Sequence, residues 1–553
     1  MLSRYLPRVE FDSYRDFKEN FKIDVPENFN FGFDIVDEWA ELEPEKPALV
    51  WCNDHGAERR FTFRDISRLS NRCANYLASL GVKQGDMVML ILRRRWEYWV
   101  CATALHKMGA IVIPGSLQMT KKDIVYRAEN AGVKTMICVD DDFVVEQTEL
   151  ARGETSSLER LLLVGSLGEA PRPRDGWFDL NAALEDQSIP DVWSGGRVTR
   201  NEDVMLIYFT SGTTKMPKMV MHNFMHPLGH IITAKYWQHV EENRLHMSVA
   251  DSAWAKFGWG KIYGQWICGA TIFGYDMDKF TAPKLLAMLE KYRVTTFCAP
   301  PTMYRFMLQE DLRKYDLSAI HHCATAGEPL NPEVVKQWQS LTGHLIYEGF
   351  GQSEGQILIA NFGWDEIRPG SCGKPSPICN AVVLTDEGAE TEDGEEGSIC
   401  VPATAPVGLF VGYYGDEEAT NDALGGDYYN LRDNAWRDSD GYINFIGRSD
   451  DMIKSSGYRI GPFEVESALI EHPAVVECAI TGVPDPLRGA VVKATVVLAN
   501  GYAGSDELVT ELQNHVKRVT APYKYPRIIE FVPELPKTLG GKIKRAEIRK
   551  SDA

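Results

Sequence analysis

The sequence predicts an α/β protein, on three observations. Short apolar runs alternate with stretches of helical periodicity, an acidic glycine-containing segment breaks that rhythm at residues 385–397, and a compact unit of different texture follows Gly447. At 553 residues the chain exceeds what one hydrophobic core supports, so at least two domains are expected. The expected architecture is a large N-terminal domain, residues 1–449, of mixed sheets flanked by helices with a β-rich region. A small α+β domain, residues 450–553, follows it.

Along residues 61–80, Ile66, Leu69, Cys73, Leu77 and Leu80 recur at helical spacing, and Thr62 with Asp65 forms a capping-box pattern. An apolar strand at 88–92, a helix at 97–108 and a strand at 110–114 give the strand-helix-strand order of a parallel sheet. The same order returns with a helix at 285–292 before a strand at 295–299, and a helix at 333–341 before a strand at 345–347. The acidic segment 385–397 carries glycines suited to hairpin turns. Beyond Gly447, a helix at 463–471, strands at 475–481 and 491–498 and a helix at 505–518 make a unit of about 100 residues, a usual domain size. The boundary is placed at Ser449 and Asp450. No internal repeat or low-complexity tract is present in the sequence.

A composition of 44% hydrophobic and 25% charged residues is that of a soluble globular protein. Fifty-nine basic against 78 acidic residues, a net charge of −19, argue against nucleic acid as a partner. Anionic ligands would therefore need local positive charge, and the tail from His515 onward is basic, a texture that also suits a solvated helix face. Eleven cysteines without metal-ligand or paired spacing indicate a reducing compartment. Glu10, Asp12 and Asp16 are unlike a secretory or transit leader, and no apolar run reaches the roughly twenty residues of a membrane span. A cytoplasmic protein is expected.

The segment from Leu206 to Val220 carries the strongest chemical signal. An apolar strand runs into Thr210-Ser211-Gly212-Thr213-Thr214-Lys215, closed by Pro217 and Lys218. Short hydroxyl side chains and a glycine let backbone N–H groups converge on an anion, and Lys218 adds positive charge, so the loop suits phosphate. It is not a Walker loop, because the glycine spacing differs and Pro217 blocks direct continuation into a helix. Taken alone, it reads equally as a polar turn.

Three further segments follow in order: Phe350-Gly351-Gln352-Ser353-Glu354, the run from Gly447 to Glu464, and the run from Pro536 to Arg545. With the phosphate loop they make the chain resemble the adenylate-forming superfamily of acyl-CoA synthetases, luciferases and peptide-synthetase adenylation domains. Residues 455–466 and 520–527 look most like the medium-chain acyl-CoA synthetases. The resemblance spans nearly the whole chain and implies ATP and CoA as substrates, Mg²⁺ as cofactor, and a small C-terminal domain that swings about Asp450 between two half-reactions.

It also implies residue roles. Thr210 to Lys215 and Lys218 would hold the β- and γ-phosphates, with Thr213 and Glu354 on Mg²⁺ and Ser353 on the α-phosphate. Gly327-Glu328-Pro329 and Glu348-Gly349-Phe350 would form the adenine slot, Phe350 standing where tyrosine is usual, and Gly351 and Gln352 would also meet the nucleotide. Asp433 and Arg448 would meet the ribose, although Leu431-Arg432 replaces the usual Thr-Gly; Asp433 alone also reads as a loop aspartate. Lys542, on a loop loosened by Gly540 and Gly541, would bridge the carboxylate and α-phosphate during adenylation. Gly457, Tyr458, Arg459, Arg488 and Tyr525 would meet CoA, Arg488 being equally suited to a surface ion pair. Lys215 stands where the family commonly has glycine.

By the same resemblance Trp237, Trp254, Phe257, Trp259 and Trp266, together with Lys256, Cys298 and Gly351, map near the acyl pocket. Bulky rings shorten a pocket, which predicts a short- to medium-chain acid, branched or cyclic acids included; the same rings also suit a helix core. Lys256 either caps a polar acid or pairs with an acidic neighbour, and Cys298 sits in apolar surroundings. The leading expectation is an AMP-forming acid–CoA ligase. An aryl or benzoate-type CoA ligase, an adenylation enzyme loading a carrier protein, and a nonenzymatic binding module are the alternatives. Small molecules are the expected partners, with a homodimer left open.

Overall fold

The computed structural model describes residues 1–165, 169–210, 216–404, 407–456, 458–537 and 543–551, with backbone alone at 459 and 551. Two large sheets dominate. One has eight strands among the described residues, with Ile111–Pro114, Met87–Ile91, Thr135–Val139, Arg160–Val164 and Trp177–Asp179 parallel and Lys218–Asn223 antiparallel beside Val204–Thr210. The other has nine, with Pro47–Asn53, Thr271–Asp276, Leu245–Ser248, Thr296–Cys298, His322–Ala326 and Ile346–Gly351 running parallel.

The expected strand-helix-strand unit is present. The helix Glu97–Met108 has the predicted bounds, ends on Gly109 at φ 70°, and is buried at every residue. A helix with no exposed face must be enclosed on both sides. It packs with Phe63–Ser79 in a core that takes Leu49 and Trp51 from one sheet and Val88 and Leu90 from the other. The intervening Val50 and Cys52, and Met87, Met89 and Ile91, face two separate cores on the outer sides. That alternation follows from the two-residue repeat of strands. Thr62 and Asp65 form the predicted capping box, Thr62 N to Asp65 Oδ2 being 2.9 Å.

The acidic segment lies in a four-stranded antiparallel sheet of Val382–Leu384, Glu396–Pro402, Tyr428–Arg437 and Ile443–Arg448. Beyond it, the hairpin Ile453–Ser455 and Tyr458–Ile460 leads into Pro462–Ile470, the long pair Val475–Asp485 and Gly489–Leu498, and Asp506–Val519. These elements share their own core around Ile460, Leu469, Ile480, Val496 and Leu512. No helix of the described residues is long and apolar enough to cross a membrane.

Candidate active site

Parallel strands bring their C-terminal ends to one edge, where loops gather around ligands in open α/β sheets. His322–Ala326 and Ile346–Gly351 are neighbours, with Ala326 paired to Gly349, so Gly327-Glu328-Pro329 and Glu348-Gly349-Phe350 lie side by side. Gly327 adopts φ 100°, a conformation that side chains rarely take. Phe350 packs its ring 6.0 Å from that of Phe445. Glu348 is buried and accepts from Leu330 N at 3.2 Å, and burial pushes its carboxyl up to about 8.

The run Phe350 to Glu354 connects to the ribose candidates directly. Gln352 Nε2 donates to Asp433 Oδ2 at 2.6 Å and to the Leu431 carbonyl at 2.8 Å. Asp433, buried on Tyr428–Arg437, faces Arg448 in the antiparallel register, and Arg448 Nε donates to Asp450 at 2.8 Å. Glu354 reaches the strand Lys218–Asn223 through a residue the sequence reading missed. Tyr413 donates to Glu354 Oε1 at 3.2 Å, and Lys218 Nζ stands 4.3 Å from the Tyr413 ring centroid. Thr210 and Lys218 pair across the hairpin, and Ser353 gives its carbonyl to His222.

Ser211, Gly212, Thr213, Thr214, Lys215, Gly457 and Lys542 lie outside the described residues, as does the Arg459 side chain. The residues flanking Lys542 are described: Lys537 bridges Ile543, and Lys544 N donates to the Pro536 carbonyl at 2.8 Å.

The acyl candidates divide. Trp237 closes a six-residue π-helical stretch, Ile232–Trp237, and donates from Nε1 to the Tyr347 carbonyl at 3.1 Å. A Cβ added to Gly349 would stand 2.6 Å from its ring, and one added to Gly351 would stand 2.6 Å from the Trp259 ring. Both glycines are therefore needed for the rings to approach the strand. Lys256 extends to the same place, donating to the Ala326 carbonyl at 2.5 Å and lying where a Gly327 side chain would go. Cys298 is buried, which pushes its thiol up to about 11. Trp254 is half-buried before the helix Ala255–Lys261. Trp266 and Phe257 belong to the core: Trp266 bonds the Ala48 carbonyl between Phe31 and Phe63, and Phe257 packs on Tyr98 and Trp99.

In the C-terminal region Tyr458 is half exposed and stacks at 4.0 Å on Tyr523, a partner that sequence reasoning overlooked in favour of Tyr525. The Tyr525 hydroxyl accepts from Arg527 at 2.7 Å, and its ring carries Lys517. Arg488 Nη1 meets Ser456 Oγ at 3.2 Å, keeping it beside the Tyr458 turn.

The chain is similar to known proteins along nearly its whole length. Residues 36–414 match the family model of AMP-binding enzymes, and residues 464–542 that of the AMP-binding enzyme C-terminal domain. Acyl-coenzyme A synthetase ACSM3, mitochondrial, of Mus musculus is 40% identical over 98% of this chain and 94% of its own length. The human acyl-coenzyme A synthetase ACSM5, mitochondrial, is 41% identical over 96% and 91%. Among solved structures, the anthranilate CoA ligase AuaEII in complex with anthranoyl-AMP superposes with a TM-score of 0.87 at 29% identity, covering 96% of this chain and 98% of that one. The benzoate CoA ligase from Burkholderia xenovorans LB400 gives 0.81 at 26% identity over 94% and 100%. The chain belongs to the AMP-binding enzyme family, the adenylate-forming superfamily its motifs resemble, and stands among the acyl-CoA synthetases of that family.

Proposed function

We propose that the protein is an AMP-forming acid–CoA ligase acting on short- to medium-chain carboxylic acids, branched and cyclic ones included. A carboxylate oxygen attacks the α-phosphorus of ATP, the Pα–O–Pβ bridge breaks, and pyrophosphate leaves. The CoA thiol then attacks the acyl carbon, and AMP departs. The observation that carries this reading is the convergence of one strand end, Phe350 to Glu354, on both the Asp433 carboxylate and the Lys218–Tyr413 pair.

In this reading Gly327 to Pro329 and Glu348 to Gln352 hold adenine, Asp433 and Arg448 the ribose, and Thr210 to Lys215 with Lys218 the phosphates. Ser353 orients the α-phosphate. Lys542 supplies charge between the two reacting anions, because positioning and electrostatics do most of such catalysis. Mg²⁺ fits a donor set of the Glu354 carboxylate, Thr213 and triphosphate oxygens. When bound, it neutralises charge on the departing pyrophosphate. Trp237, Trp254, Lys256, Trp259, Cys298 and Gly351 shape the acyl pocket. Tyr458, Arg459, Arg488 and Tyr525 with Gly457 meet CoA after residues 450–553 turn about Asp450 against residues 1–449.

Acid-dependent exchange of pyrophosphate into ATP tests adenylation without CoA. Lys542→Ala is expected to abolish exchange and to spare thioester formation from supplied acyl-AMP; equal loss of both refutes its role. The rings of Trp237 and Trp259 at the strand, and the likeness to anthranilate and benzoate CoA ligases, favour aryl acids as a second reading, separated by an acid panel. A carrier loader would fail with free CoA. The eleven unpaired, buried thiols support a reducing compartment. The cytoplasm meets that condition, the named relatives are mitochondrial, and cell fractionation decides between the two locations.

A further inference from the structure

A chain of polar contacts links the base of the Lys542 segment to the adenine-side turn and crosses between the two parts of the molecule. Lys537 Nζ holds both carboxylate oxygens of Glu477, at 2.9 and 2.8 Å, both residues belonging to the C-terminal part. Glu477 lies 3.8 Å from Arg305 Nη2, on the N-terminal helix Pro301–Met307. Arg305 Nη2 donates to Thr302 Oγ1 at 2.9 Å, and Thr302 Oγ1 donates to Glu328 Oε2 at 2.7 Å. The Glu477 and Arg305 side chains are 8% and 16% exposed, so the contact is shielded from solvent.

We infer that Arg305 is a positioning residue for adenylation: through Glu477 it holds the Pro536-Lys537 segment against the Glu328 turn, and the contact must break before thioester formation. This rests on the ligase reading above. Two features support it. The buried Glu477 carboxylate lies between two cations, Lys537 and Arg305, so separating it from Arg305 costs more than breaking a surface pair. The links inside each part are short, whereas the Arg305–Glu477 contact is the longest. Rotation of one part would therefore leave Glu477 still paired with Lys537, and Arg305 still on Thr302. A second bond across the same interface, Asn331 Nδ2 to the Ser467 carbonyl at 3.0 Å, carries no charge and would not select between states by ion pairing.

The test compares half-reactions in the full-length protein. Arg305→Ala is expected to lower the turnover of pyrophosphate exchange about tenfold, in the usual range of such couplings, with KM for ATP little changed. Thioester formation from supplied acyl-AMP and CoA should hold or rise. Arg305→Lys should recover most of the exchange, and Glu477→Gln should match Arg305→Ala without adding to it in the double variant. Unchanged exchange in Arg305→Ala, or equal loss of both half-reactions, overturns the inference while wild-type exchange preserves the ligase reading. Absence of exchange in the wild type with every acid would overturn both. Should Arg305→Ala fail to fold, Arg305→Lys and Glu477→Gln decide by the same comparison.

Discussion

His222 Nε2 stands 2.8 Å from the Ser353 carbonyl oxygen, tying the strand Lys218–Asn223 to the segment that follows the strand Ile346–Gly351. Burial pulls the imidazole down to about 4 against the opposing effect of the Ser353 bond, so at neutral pH it is uncharged and donates from Nε2.

Removing that donor leaves a half-buried carbonyl without this partner. His222→Phe is expected to cost about 1–3 kcal/mol of stability and to lower exchange activity. His222→Gln can keep the donor. The folded value lies below that of the unfolded chain, so the stability is present above pH 6.5 and lost as pH falls toward 4. Wild type should lose about 2 kcal/mol more than His222→Gln between pH 7 and 5, read by urea unfolding.

Glu348 titrates the other way. Burial raises its carboxyl to about 8, so its contribution is complete below pH 4.5 and lost as pH rises through 8. Glu348→Gln should match wild type near pH 4 and exceed it by at least about 1 kcal/mol near pH 8. Equal pH slopes for the two proteins would contradict a protonated Glu348. In the proposed site Glu348 meets adenine through its backbone, so KM for ATP should hold.

At Gly351 a Cβ would meet the Gln356 carbonyl oxygen at 2.0 Å and the Trp259 ring at 2.6 Å. Gly351→Ala must move backbone and is expected to lower turnover more than tenfold, an overpacking cost on the order of 1–3 kcal/mol placed at the site. Trp259→Ala opens space and should shift the acid preference toward longer chains in a thioester assay. An unchanged profile would make Trp259 a core residue.

Lys261 is fully buried, and its Nζ has no hydrogen-bond partner among the described residues. Burial and the nearby Arg94 lower it to about 7, with Asp251 and Asp276 acting the other way. Its folded value is below the unfolded one, so the penalty grows as pH falls below about 10.5 and is complete below 7. Lys261→Met should raise Tm, more at pH 6 than at pH 10; equal gains at both would point to packing alone.

Much of the fold was legible because it is written in short-range patterns. The helix Glu97–Met108 and the Thr62–Asp65 box are local in sequence, and the structure contains both. Bounds moved where pairing extends an element: Val475–Asp485 runs past its apolar stretch because it stays in register with Gly489–Leu498. The π-helical turn Ile232–Trp237 carries no periodic signal and was not foreseen. Tyr413 and Tyr523 were missed because neither has a motif of its own; each matters only through what faces it.

The sequence by itself determined the chemical groups and their local backbone: hydroxyls and a glycine for phosphate, one carboxylate after Ser353, and a lysine beyond Gly540 and Gly541. Tertiary structure alone decided which of those groups meet. Gln352 reaches Asp433, Lys218 reaches Glu354 through Tyr413, and Arg305 faces Glu477 across more than a hundred residues of chain. Local propensity acts over a few residues, whereas these contacts depend on sheet order and packing that no short segment encodes.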